Sequence, residues 1–464
     1  MIDCDNDGPR PTKVAAGSNR RAVVLYGHPA ANAAAPRRQP VRGARGLGRP
    51  GRRDIQLLAT LALVLASALS ARAPTHSGTG EASTAAALDQ DFMFVGDDET
   101  QLLRLYFRRF DGGPLWQQDF TANLGLHDRD AQGLPREVDI EASTRIGNRI
   151  YWLGSHGNCS DCTPPGELRP NRDRLFATDI VGSGANARLQ YVGRYDGLRR
   201  DLIAWDNTNG HGLGTRYLRL QASAAAGVPP ETVARDGFNL EGLCTSPDGS
   251  VAYLGFRAPL TPNSGRSNAL IIPLLNMPQL VRDNPSLGPA QFGPPLQFFL
   301  DGRGVRSMDS GPNGVIIVAG PTTNTGASHI YSWSGRTNDP ACERLVNITV
   351  PRPEGLIADG AYADGTLIQL VSEGATDFRS EFVLLGPAIP RITRGEMLGR
   401  DRFRLSLLGR AGGLYDVEAS APGGGWLFLQ QVLMPATNQV LWTNDNLPPG
   451  APERFYRLRY PSSR

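Results

Sequence analysis

The sequence predicts an all-β protein: a β-propeller of about six blades followed by a small C-terminal β-sandwich. Three observations predict it. Gly (54) and Pro (36) are scattered among short runs rich in Val, Ile, Leu and aromatics along most of the 464 residues, the pattern of many short strands rather than long helices. One unit of acid, strand, Gly turn and aromatic strand recurs. The last seventy residues keep the strands and drop the unit.

The first seventy residues are expected to stay outside the fold. Residues 1–73 hold 12 basic and 4 acidic side chains, so the formal charge of +3 hides a remainder that is net −5. RRQPVRGARGLGRPGRR, residues 37–53, runs into IQLLATLALVLASALSA, residues 55–71, and the A-x-A triplet of residues 71–73. A basic region, an apolar run and small residues predict an export signal removed near residues 70–73. A retained anchor is the alternative, although the run is short for a span. The expected location is therefore secreted or periplasmic, with no stable membrane span after signal removal. No basic stripe with interleaved aromatics lies outside the N-terminus, which argues against a nucleic-acid partner. Lys13 is the only lysine, so phosphate-loop chemistry, which needs a GK[ST] lysine, is excluded.

Residues 74–87 read as a linker and residues 88–388 as the propeller. DIEASTRIGNRIYWLGSHG (139–157) and NLEGLCTSPDGSVAYLGFRAP (239–259) match at Glu141 with Glu241, Tyr151 with Tyr253 and Gly154 with Gly255. RSMDSGPNGVIIVAGP (306–321) and RPEGLIADGAYADGTLIQLVSEG (352–374) fit more loosely, with Asp309 and Glu354 as their acids. Each unit is a hairpin. The distance from Asp309 to Glu354 suits a four-stranded blade, and that from Glu141 to Glu241 is about twice as long, as if a degenerate unit lay between. A β-sandwich would also supply short strands but gives no reason for an acid at a fixed place.

In a propeller the first strand of each blade lines the channel and the second returns to the same mouth. Glu141, Glu241, Asp309 and Glu354 are then expected around one opening, with His156, Arg257, Arg306 and Arg352 beside them. Either arginines neutralise the acids or a hard cation such as Ca²⁺ does, since like charges held together repel. Residues 389–464, with GLYDVEAS, GWLFLQQVL and ERFYRLRY, read as a separate sandwich.

DIEASTRIGNRIYWLGSHGN, NLEGLCTSPDGSVAYLGFRAPL, ALIIPLLN and RPEGL resemble the bacterial domain of unknown function 3616. The resemblance covers roughly residues 90–385 and implies a propeller similar in outline to phytase-like and esterase-like propellers. It implies no activity. The third repeat departs most, with Met308-Asp309 where EG is expected. The tail resembles small β-modules at the ends of secreted bacterial proteins.

Outside the cytoplasm Cys159, Cys162, Cys244 and Cys342 are expected to be paired more than free. His156-x₂-Cys159-x₂-Cys162 offers three metal ligands without a local fourth, so a Cys159–Cys162 disulfide is favoured over a metal. Cys244 and Cys342 are the remaining candidates. The haem signature fails at Thr163. G-x-S-x-G, H-E-x-x-H and a dinucleotide fingerprint are all missing. His127, His211 and the 97–99 acidic turn read as plain surface features. The expected function is binding of a small-molecule or cell-surface ligand, or scaffolding, by a monomer through the acid-and-arginine mouth. The alternative is a Ca²⁺-dependent hydrolase of phosphate or other esters at the same mouth, where a metal-activated water needs only carboxylates and an open position.

Overall fold

A computed structural model describes residues 73–459 apart from residues 263–264, 283–287, 361–362, 400–401, 410–411, 421–424, 436–438 and 445–452, together with the backbone of two earlier strands. The apolar run at 55–71 and its proposed cleavage site lie outside the described residues, up to residue 72. Among the described residues no helix is long and apolar enough to cross a membrane.

Five four-stranded antiparallel sheets follow one another along the chain. Their first strands are Ala82–Ala87, Ile140–Ile146, Asn239–Thr245, Gly304–Gly311 and Pro353–Ile357. These contact one another in cyclic order, the fifth returning to the first. The result is a propeller-like all-β fold. Sheets 1 to 4 each take four successive strands, whereas sheet 5 takes three and is completed by Thr75–Ser77, which pairs with Asp377–Leu384. Residues 75–77, expected in a linker, are thus part of the last sheet.

The repeat period left room for about six blades; five sheets of this kind occur among the described residues. The second hairpin between Glu141 and Glu241, Leu175–Val181 with Arg188–Tyr195, is not a separate unit but completes sheet 2. Residues 196–238 form the helices Leu198–Asn207 and Leu220–Ser223 with connecting loops.

Strand order follows from pattern and turns. Arg149–Gly154 and Ala252–Ala258 are apolar on both faces because neighbouring sheets cover each. Two-residue loops such as Gly147-Asn148 close the hairpins, and Gly147 supplies the left-handed φ of +61° that such tight turns require. The cores lie between sheets. Leu153, Leu175, Leu240, Leu243 and Leu254 pack between sheets 2 and 3, and Tyr253, Val305, Val315 and Trp333 between sheets 3 and 4. Gly242 and Gly255 are cross-strand neighbours that let Val305 approach. A Cβ on either would stand 2.7 Å from Val305 Cγ1.

Residues 391–459 build two further sheets. Arg391–Met397, Phe403–Leu408 and Gln439–Asn444 form one, and Leu414–Ser420, Leu427–Leu433 and Glu453–Arg459 belong to the other. Leu405, Leu407, Tyr415, Val417 and Trp442 belong to their common core. The second sheet also includes the N-terminal strands Thr12–Ala15 and Ala22–Gly27, the latter parallel to Glu453–Arg459.

Candidate functional site

Each of the five first strands carries a β-bulge near its start. Pairing with the second strand skips one residue between Ala82 and Thr84, Ile140 and Ala142, Leu240 and Gly242, Val305 and Ser307, and Pro353 and Gly355. A bulge leaves one residue out of the ladder and re-aims its side chain. The five skipped residues are Ser83, Glu141, Glu241, Arg306 and Glu354, and all are buried.

Three of the four predicted acids therefore occupy equivalent positions, but in the third repeat Arg306 holds that place instead of Asp309. Asp309 lies farther along the same strand, where Oδ1 accepts from the Ser310 N–H at 2.8 Å and Oδ2 from the Ala358 N–H at 2.7 Å. Burial pushes its carboxyl up to about 7 against those two hydrogen bonds. It ties sheet 4 to sheet 5.

Arg306 joins its neighbours. Its Nε is 3.2 Å from Glu241 Oε2, and its Nη2 pairs with Glu354 Oε1. Arg257, on the second strand of sheet 3, reaches Glu241 Oε1 and Glu231 Oε1, each at 2.9 Å. Its other nitrogen donates to Thr323 O at 2.9 Å and Asn324 Oδ1 at 2.8 Å. The expected Glu241–Arg257 pair is thus present. Arg352 does not touch Glu354; it is half exposed and pairs with Glu373 at 2.7 Å. Arg306 and Arg352 line a small, shallow depression with Thr323, Asn324 and Ser328.

His156 makes no hydrogen bond to Glu141. It is fully buried at a left-handed φ of +57°, Nδ1 meets Gly154 O at 2.7 Å, and Nε2 has no partner. Burial lowers its pKa to about 3, so the ring is neutral. His211, read as a surface residue, is buried with Nε2 3.0 Å from Asp206 Oδ1. The Asp206 carboxylate also accepts the N–H groups of Leu218 and Leu220, and so holds the loop after the helix.

Of residues 97–99, read as a solvated turn, Glu99 is exposed but Asp97 and Asp98 are not. Asp97 is fully buried, pairs with Arg104, and accepts the Thr100 N–H at 2.6 Å. Asp98 is part-buried, and carboxylate oxygens of Asp98, Asp139 and Glu141 lie within 4.8 Å of one another. Arg172 Nη1 meets Asp139 Oδ2 at 2.7 Å. Glu141 has no hydrogen bond or ion pair among the described residues. Burial and then the neighbouring Glu241, Asp139 and Asp98 charges raise its pKa well above the ordinary range. Burial and then Asp139 push Asp98 up to about 9.

Cys159 and Cys162 form a disulfide, with Cα atoms 5.7 Å apart. Cys244 and Cys342 are free and buried, so the second candidate pair does not form. They stand on the first strand of sheet 3 and the fourth strand of sheet 4. Cys342 points to Gly409 O instead.

Residues 232–353 match DUF3616, described as a protein of unknown function. The DUF3616 segment runs from before sheet 3 to the first residue of sheet 5 and contains Glu241, Arg257, Arg306, Asp309 and Arg352. It leaves out Glu141 and Glu354. No curated protein matches the chain.

Proposed function

We propose that this chain is a non-catalytic binding protein that takes a small anionic ligand, a carboxylate or phosphate, where the bulges of sheets 3, 4 and 5 meet. One observation carries the reading: equivalent bulges gather Glu241, Arg306 and Glu354 beside a depression whose cations are Arg306 and Arg352. Glu241 and Glu354 fix the Arg306 fork, and Arg352 keeps half its surface for a ligand. A guanidinium fork matches both anion classes. A metal ring of Glu141, Glu241, Asp309 and Glu354 is disfavoured, because an arginine stands between Glu241 and Glu354 and Asp309 is committed to backbone N–H groups. Action outside the cytoplasm, by a monomer, belongs to the same proposal and rests on the apolar run at 55–71 and the cysteine usage. N-terminal sequencing of the exported chain, expected to begin between residues 70 and 75, tests the location.

Thermal melts of the full chain against citrate, inorganic phosphate and glycerol 3-phosphate test the site. At least one should raise the melting temperature of the wild type and fail to raise that of Arg352→Ala. No shift with any of the three, or equal shifts in the variant, rejects the reading.

A further inference from the structure

We propose that Asp98, Asp139 and Glu141 form a binding site for one divalent cation of the Ca²⁺ class at the junction of sheets 1 and 2. Asp98 follows the second strand of sheet 1, Phe92–Asp97, while Asp139 and Glu141 sit at the start of sheet 2. The convergence is therefore set by the packing of two adjacent sheets. The three carboxylates offer oxygens within 4.8 Å of one another, and a cation held at about 2.3–2.6 Å from each ligand spans up to roughly 5 Å between opposite oxygens.

Unmet demand points to a ligand. The Glu141 side chain is 9% exposed and has no hydrogen bond or ion pair among the described residues. Buried Asp98 Oδ1 is likewise without a partner. Both residues belong to the same cluster. Such groups cost free energy unless something satisfies them. Arg172 answers one oxygen of Asp139 and is shared with Glu137 at 2.8 Å. Arg172 thus serves Glu137 as well as Asp139 and leaves the three carboxylates short of positive charge, which a divalent ion would supply. All three donors are hard oxygens, with no imidazole or thiolate in the cluster, which favours Ca²⁺ over zinc or copper. Water fills the positions the protein leaves open. This site does not depend on an anion binding at Arg352.

Calorimetric titration of the chelator-stripped full chain with CaCl₂, and separately with MgCl₂, at neutral pH tests it. One Ca²⁺ per chain is expected, with Mg²⁺ weaker by about tenfold or more because it demands tighter octahedral geometry. Glu141→Gln and Asp98→Asn should each weaken Ca²⁺ by about tenfold or more, the loss of one charged ligand. Glu354→Gln should change it less than about twofold. Circular dichroism in chelator verifies each fold; Asp98, only part-buried, keeps the test open if Glu141→Gln does not fold. No binding up to about 1 mM Ca²⁺ overturns the proposal, since that is the weak end of protein Ca²⁺ sites. Mg²⁺ binding as tight as Ca²⁺ overturns it too, as does Ca²⁺ binding undiminished in Asp98→Asn. Loss of the anion effect in the Arg352→Ala melts should leave the Ca²⁺ titration intact, so the two readings fail separately.

Discussion

Arg306 Nε stands 3.2 Å from Glu241 Oε2 while Nη2 of the same guanidinium pairs with Glu354, so one side chain from sheet 4 joins the bulges of sheets 3 and 5. All three groups are buried. Such a network is costly to desolvate and costlier to break, because removing one partner leaves an uncompensated charge.

Arg306→Met should therefore destabilise the chain by about 3–5 kcal/mol. Adding Glu354→Gln removes one of the stranded charges, so the double variant should lose less than the two single losses together. Urea denaturation of the four proteins in the cycle checks it; strict additivity would show that the pair is not coupled.

Arg257 ties the third sheet to the loop at 321–324 through Pro321 O, Thr323 O and Asn324 Oδ1. Lysine keeps the charge and loses the fork. Arg257→Lys should cost about 1–3 kcal/mol and release that loop. Limited proteolysis should then cut within residues 321–328 faster than in the wild type.

The buried His156 supplies a pH dependence. Its pKa is near 6.5 unfolded and about 3 folded, because burial disfavours the imidazolium. The unfolded chain binds the extra proton, so the stability contributed by the neutral ring is full above 6.5 and falls as pH drops toward 3. His156→Asn tolerates the left-handed backbone and does not titrate. Over roughly pH 6.5 to 5 the wild type should lose about 1.5–2 kcal/mol relative to this variant. Denaturant midpoints at several pH values decide it, and a parallel pair of curves would rule the histidine out as the cause.

Gly255→Ala should destabilise by about 1–3 kcal/mol through overpacking, because its Cβ would lie 2.7 Å from Val305 Cγ1 and 2.9 Å from Met308 Sδ. Combining it with Val305→Ala should recover part of the loss, as measured by thermal melts. No recovery would point to backbone rather than side-chain strain.

Hairpins, repeat and the Glu241–Arg257 pair were legible because alternation, turn glycines and antiparallel return are local rules. The bulge was not, since a skipped ladder position leaves no compositional trace. Counting would have found it: Glu141, Glu241 and Arg306 each precede the first turn residue, Gly147, Pro247 and Pro312, by six positions, whereas Asp309 precedes Pro312 by three. Looking for an acid led to Asp309; looking at distance from the turn leads to Arg306. Asp98 was missed because its role depends on sheet 2 packing against sheet 1, a relation far in space from its own turn. His211 looked exposed among polar loop residues, but its Asp206 partner lies on the helix that the repeat period concealed.

His76, on the short strand that completes sheet 5, meets Ser380 with Nε2 2.9 Å from Oγ across 304 residues of sequence. Whatever machinery delivers this chain from its N-terminus releases His76 long before Ser380. The earliest strand of the ring must therefore wait, unpaired, for almost the last. Loop closure over that separation precedes its reward, so ring formation carries a high contact order and a slow final step. A product truncated before Asp377 would expose the edges of Thr75–Ser77 and of Leu367–Ser372 at once, leaving open strand edges of the kind that recruit other chains.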